Sequence, residues 1–219
     1  MKRIILSTIV AFALAACSND TEYSDNFMYS DIVTIADAGE GKTTVFTFQR
    51  YDDSPTITLS DPSLSVKESY KGKRALLRYY AESKEPYTSG TIKALALSVV
   101  NNDTTVIRPI SDYNWNERPV YLYSVWRSGN YINLRIRLEY SDKPRAFFLV
   151  TDSLTMTDDV PQLYLVHDRK GEAENYLFET YASFDISKVW QLASCKSIDV
   201  HINDSNSNKE ETYTFNKSY

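Results

Sequence analysis

The sequence is short of the residues from which small chemical sites are built, with two cysteines, two histidines and six glycines among 219 positions. His167 and His201 have no cysteine or histidine at ligand spacing, so no metal residue is expected. The serine elbow Gly-x-Ser-x-Gly is missing, and with it the usual signature of a hydrolase. Gly41-Lys42-Thr43 comes nearest to a phosphate loop, but Ala36 stands where that motif needs its first glycine. Thr43 to Gln49 also reads as strand where the loop must open a helix. No catalytic residue and no cofactor is therefore expected. The clusters Asp152, Asp158, Asp159 and Asn203, Asp204, Asn206, Asn208 lack the spacing and glycine of a calcium loop and read as solvated turns. No run of Lys or Arg occurs, and acidic residues outnumber basic ones 29 to 24, which argues against nucleic acid as a partner. Only one long apolar run exists. It covers Ile4 to Ala16, 13 residues, where a membrane-spanning helix needs about 20.

That run carries the strongest local signal. Lys2 and Arg3 precede it, Leu14-Ala15-Ala16-Cys17 closes it, and polar Ser18-Asn19-Asp20-Thr21-Glu22 follows. A basic start, a short apolar segment and small residues before a cut are the three parts of a secretory signal. With cysteine as the residue after the cut, Leu14, Ala15, Ala16 and Cys17 resemble the lipobox of bacterial lipoproteins. The resemblance implies a cleaved signal peptide at residues 1–16 and acylation of Cys17, making membrane lipid the first expected partner. Each buried CH₂ contributes about 0.8 kcal/mol, so two or three acyl chains would fix the protein to its membrane. Residues 17–29 then read as the lipidated cysteine and a disordered polar tether. Asp20, Glu22 and Asp25 partly resemble the signal that sends Bacteroidota lipoproteins outward, so the outer membrane is the expected address, with its face left open. Once Cys17 is acylated Cys195 has no disulfide partner, and it reads as a small packed hydrophobe.

Cleavage leaves 203 residues with a formal charge of −7 in place of −5, long enough for two small domains. Seventeen tyrosines beside so few glycines point to half-buried strands, hence an all-β chain. Residues 30–112 hold five or six short runs, the count of a small OB-like barrel. These include a hairpin about Gly39-Glu40-Gly41, Ile57 to Leu59, Arg74 to Tyr80, Thr91 to Val100 and Thr104 to Ile110. Along Thr91 to Val100, Ile92, Ala94, Ala96 and Ser98 are expected on one face, with Lys93, Leu95, Leu97 and Val99 on the other. Ser111 to Pro119 reads as the junction. Residues 113–219 then supply about seven runs joined by turns, an antiparallel β-sandwich. Their clearest run is Tyr131 to Tyr140, with Ile132, Leu134, Ile136, Leu138 and Tyr140 inward and Asn133, Arg135, Arg137 and Glu139 outward. One short helix is expected over Ser187 to Leu192, capped by Asp185 or Ser187.

Three stretches, Ser124 to Leu134, Leu163 to Asp168 and Ser183 to Ser187, resemble the carboxy-terminal half of the NigD-like lipoproteins of Bacteroidota. The resemblance implies an OB-like domain joined to a β-sandwich behind a lipobox. It brings no catalytic residue or ligand with it. The expected function is a non-enzymatic, lipid-anchored cell-envelope module that binds a protein or glycan. Tyr121, Trp126, Tyr131, Asn133, Arg135 and Arg137 form its candidate surface. A bacteriocin-associated immunity or secretion accessory factor is the alternative that the family's gene context implies. An envelope hydrolase with a site between the domains is the third reading.

Overall fold

The computed structural model describes residues 28–81, 87–101, 104–140, 145–169, 174–207 and 209–217. The lipobox residues Leu14, Ala15, Ala16 and Cys17 lie outside the described residues, as does the tether as far as Phe27.

Strands β1 (Met28–Asp37), β2 (Thr44–Phe48), β3 (Ile57–Asp61), β4 (Arg74–Ala81) and β5 (Gly90–Val99) close into a barrel in the order β1-β2-β3-β5-β4. This is the connectivity of an OB-type barrel. Alternation selects the inside, where Val33, Ile35, Phe46, Phe48, Leu59, Leu77 and Ile92 form one core. The β1–β2 hairpin turns at Gly41, whose φ of 68° favours a residue without a Cβ. Met28 and Tyr29, expected in the tether, instead open β1 opposite Tyr80 and Tyr79. Tyr29 stacks on the Tyr79 ring at 5.5 Å, and ring burial of this kind extends the strand into a segment whose composition reads as polar.

The alternation expected along β5 holds only to Ala94. Tyr79 pairs with Ala94 but Arg78 pairs with Ala96, so Leu95 is the extra residue of a bulge. Beyond the bulge the phase reverses. Leu97, opposite Leu77, packs on the barrel core, while Ala96 and Ser98 turn outward.

The second unit comprises β6 (Val106–Arg108), β7 (Tyr121–Ser128), β8 (Tyr131–Tyr140), β9 (Arg145–Asp152), β10 (Gln162–Arg169), β11 (Glu174–Asp185), β12 (Ser197–Asp204) and β13 (Lys209–Asn216). They form two facing sheets, β13-β12-β10-β9-β6 and β11-β8-β7. Ile132, Leu134, Ile136 and Leu138 of β8 are buried between the sheets as the alternation predicts, with Leu149, Leu163, Phe184, Ile198 and Val200. The short helix α1 (Ser187–Trp190) starts where the Asp185 carboxylate accepts the Ser187 N–H at 2.8 Å, and it buries Val189 and Trp190. Most pairs run antiparallel, but β10 pairs in parallel with β12, and β6 with β9.

The second of those parallel pairs corrects the domain boundary. The run from Thr104 to Ile110 does not return into the barrel. Only Val106–Arg108 is strand, and it completes the five-stranded sheet of the sandwich beside Val150, Thr151 and Asp152. The junction therefore lies ahead of Val106. On either side of it Asn101 bridges to Ala182 and Thr104 to Asp185 of β11. A three-residue apolar run has no periodicity long enough to show which sheet will take it.

Candidate functional site

The two domains are joined by two arginines that reach in opposite directions. Arg74 opens β4 on the outer side of the barrel and is only 2% exposed. Its Nε donates to Ser183 Oγ at 2.9 Å and its guanidinium nitrogens donate to Asn133 Oδ1 at 3.2 Å and Thr34 Oγ1 at 3.1 Å. The guanidinium also lies over the Tyr131 ring, 4.2 Å from its centroid. None of these partners is a carboxylate, and burial holds the Arg74 pKa down to about 10. The acceptors are themselves arranged in a chain, since Ser183 donates to Asn133 Oδ1 and Asn133 Nδ2 to Ser128 Oγ, each at 2.8 Å.

Arg127, near the end of β7, points from the sandwich into the barrel's β2–β3 loop. Its side chain is fully buried and lies 4.3 Å from the Trp190 ring centroid. Its two terminal nitrogens grip both oxygens of Asp53 at 2.9 and 2.8 Å, a bidentate fork. That hydrogen bond is the main reason the Asp53 carboxyl lies below its ordinary pKa. Backbone bonds close the same contact, from Asp52 N–H to the Arg127 carbonyl at 2.9 Å and from Gly129 N–H to the Asp52 carbonyl at 2.7 Å. Gly129 has φ 56°, and a Cβ there would stand 1.9 Å from Gln49 Oε1, whose amide nitrogen already donates to the Ser54 carbonyl. Gly129→Ala is therefore expected to destabilise the chain by about 2 to 3 kcal/mol, from left-handed strain and a displaced Gln49. Urea unfolding of the variant against wild type measures it.

Beside this seam a cleft of about 390 Å³ opens between the barrel and the three-stranded sheet. Asp31, Gln49 and Arg50 line the barrel side, and Trp126, Arg135 and Tyr181 the sandwich side. Asp31 accepts from the Tyr79 hydroxyl at 3.0 Å. Burial raises its pKa above the ordinary value, against the pull of that hydrogen bond and of the Arg50 charge. Arg50 lies 3.4 Å from the Tyr87 ring centroid. Arg135 forks onto Glu179 at 3.0 and 3.1 Å, and this bond lowers the Glu179 pKa. Outside the cleft Tyr123 carries Arg135 at 4.9 Å and Arg137 at 5.2 Å from its ring centroid. The walls thus offer an indole, a phenol, two guanidinium groups and one carboxyl group, a set suited to hydrogen bonding and stacking.

The sequence-derived surface is divided by this geometry. Trp126 and Arg135 line the cleft, while Tyr121 and Arg137 lie further along the same sheet and line a separate hollow with His167 and Arg118. Asn133 is fully buried, and Tyr131 lies under Arg74, so both belong to the seam. Alternation places Asn133 outward correctly, but the outward face at that level is covered by the barrel. Asp31, Gln49, Arg50 and Tyr181 were not legible as site residues, because each sits in an ordinary strand or loop pattern and only the docking of the domains brings them together. Asp152 and Asp204 are buried rather than solvated. Asp152 accepts the Leu154 N–H, and Asp204 accepts the N–H groups of Leu122 and Asn206. Among the described residues no cluster of three His, Cys, Asp or Glu could hold a metal ion. Cys195 is buried, which raises its pKa.

A five-stranded OB-type barrel locked onto a two-sheet sandwich defines a class of two-domain all-β protein. Residues 106–217 match the family model of the NigD-like C-terminal beta sandwich domain, over half of the chain, and the chain belongs to that family. Solved structures share the whole arrangement. A protein of unknown function from Bacteroides vulgatus superposes with a TM-score of 0.65 at 17% identity, covering 88% of this chain and 92% of that one. A candidate lipoprotein from Bacteroides fragilis gives 0.62 at 14%, covering 88% and 98%. A NigD-like immunity protein from Bacteroides caccae gives 0.57 at 18%, covering 87% and 97%. At these identities the likeness is one of fold. No curated protein matches the sequence.

Proposed function

We propose that this chain is a non-enzymatic lipoprotein of the cell envelope, held at the outer membrane through acylated Cys17, that binds a protein or glycan ligand in the cleft between its domains. The observation that carries the proposal is a preformed cleft whose two walls are fixed to each other by buried arginines at the seam. Little ordering is then left to be done on binding, so contacts to Trp126, Tyr181 and Arg135 translate efficiently into affinity. The address is supported by the lipobox and by the fold shared with the Bacteroides fragilis candidate lipoprotein. The non-enzymatic reading is supported by the lining, in which Asp31 is the only carboxylate among the described residues and its oxygen already holds Tyr79. A glycosidase-type pair needs two carboxyl groups across the bond.

The test uses the chain from Ser18 onward, which keeps every described residue, on glycan and envelope-protein arrays. Binding is expected, and Trp126→Ala is expected to weaken at least one of the array interactions at least about tenfold, roughly 1.4 kcal/mol. An array on which no interaction responds to Trp126→Ala sinks the cleft assignment. Protease treatment of intact cells, with Cys17→Ala as control, reports the membrane face.

A second reading, immunity or secretion accessory, is favoured by the fold shared with the Bacteroides caccae immunity protein. Under it the cleft receives a toxin. Unchanged toxin sensitivity on deletion of the gene removes that version.

A further inference from the structure

The opposite face of the sandwich carries an aromatic group that the cleft does not use. Tyr164 of β10 and His201 of β12 are register partners on adjacent strands, and their neighbours Leu163, Leu165, Val200 and Ile202 fill the core, so both rings lie on the outer face. The rings stack at 4.4 Å with 15° between their planes. Trp115, from the loop that crosses this sheet, meets the stack at an angle of 61°, 4.9 Å from Tyr164 and 6.2 Å from His201.

The loop is held in place and not merely resting there. Asn116 Nδ2 donates to Glu210 Oε1 at 3.1 Å, Asn203 Nδ2 donates to the Asn116 carbonyl, and Glu117 N–H to the Asn114 carbonyl at 3.3 Å. His201 is bonded at both ring nitrogens. Its Nε2 is 2.6 Å from Gln162 Oε1 and its Nδ1 is 3.0 Å from Thr212 Oγ1, an arrangement that needs the proton on Nε2. Burial lowers its pKa below the ordinary 6.5, against the charges of Asp199 and Glu210. The indole therefore keeps a partly exposed surface beside a ring of polar groups, Gln162, Asp199, Glu210 and Thr212, set on rigid strands.

We infer that this face is a saccharide-binding platform that takes a neutral hexose-containing glycan, with Trp115 as the stacking residue and Asp199 as the hydroxyl acceptor. One face of a pyranose ring presents C–H groups to the negative face of an indole, while its rim presents hydroxyl donors. Asp199 already accepts Thr214 Oγ1 at 2.6 Å and Gln162 Nε2 at 3.4 Å, and a carboxylate has about four acceptor positions, so it keeps capacity for sugar hydroxyls. Asp199 and Glu210 beside the platform disfavour an anionic saccharide, which selects neutral glycans. This site lies on the other sheet from the cleft and stands whether or not the cleft binds anything.

The experiment is native gel electrophoresis of the chain from Ser18 onward in gels containing starch, mannan, pullulan or laminarin. Wild type is expected to be retarded by at least one of the four. Trp115→Ala is expected to weaken that retardation by at least about tenfold and Asp199→Ala by about fivefold. Trp115→Tyr keeps an aromatic face and is expected to keep most of the binding, separating lost stacking from a disturbed loop. Tyr51→Ala, an exposed aromatic outside both sites, is expected to leave retardation unchanged. Free migration of wild type in all four gels overturns the platform, as does retardation that survives Trp115→Ala. Loss with Trp126→Ala alone overturns it too, and assigns the sugar to the cleft.

Discussion

Arg127→Ala is expected to lower the unfolding free energy by about 3 to 4 kcal/mol, the scale of deleting a large side chain from a fully buried position together with its hydrogen bonds. The side chain is wholly enclosed, stacks near Trp190 and donates to both Asp53 and the Gly129 carbonyl. Asp53→Ala is expected to cost less, because that carboxylate is 47% exposed and its loss leaves Arg127 near Asp52 at 3.5 Å. Arg127→Lys is not expected to restore wild-type stability, since an ammonium cannot form the two-pronged contact. Equilibrium urea unfolding of the three variants gives the order. Equal losses for Arg127→Ala and Asp53→Ala would show that the ion pair, not the packing, holds the loop. Acid should erode this contact in a defined direction. Asp53 has a lowered folded-state pKa, so its contribution is present above the ordinary carboxylate value of 3.8 and is lost as pH falls through the lower folded value.

Arg74→Ala is expected to cost about 3 kcal/mol, and Arg74→Met to recover most of it. The reasoning rests on what surrounds the guanidinium. Its hydrogen-bond partners are Thr34, Asn133 and Ser183, so the buried charge is solvated by neutral dipoles and gains no ion-pair energy there. A methionine of similar length keeps the packing on Tyr131. It also leaves Ser183, Asn133 and Ser128 bonded to one another. Thermal unfolding of both variants decides the matter. If Arg74→Met is as damaging as Arg74→Ala, the three hydrogen bonds carry the seam and the packing does not. Unlike the Arg127 contact, this one has no acidic partner, so its contribution is expected to stay constant from about pH 4 to 8.

Much of the fold could be read from periodicity, and the seam could not. Along Tyr131 to Tyr140 the strict alternation identifies Ile132, Leu134, Ile136 and Leu138 as core, because a strand buried on one face must repeat every second residue. The same rule fails along β5 at Leu95, where one bulged residue shifts the phase, and in β6, whose three residues are too few to carry a phase at all. The site fails for a different reason. Asn133, Arg74 and Ser183 have the polarity of solvent-facing strand residues, and they meet across separations of 59 and 109 residues. Nothing in the local sequence distinguishes a polar residue that faces water from one that faces another domain. The single usable clue is Gly129 in Arg127-Ser128-Gly129-Asn130. A hairpin turn explains its positive φ, but only the approach of Gln49 explains why a side chain has no room there.

The opposed arginines also bear on how such chains can diversify. Each domain supplies a buried cation that is anchored in part by groups of the other, so neither surface at the seam is complete alone. An exchange of barrels between related chains would strand a guanidinium on one side unless Asp53, Asn133 and Ser183 were matched by their partners. The two halves are therefore constrained to be inherited as a matched set, while the loops and outer sheet faces remain free to vary with whatever they meet.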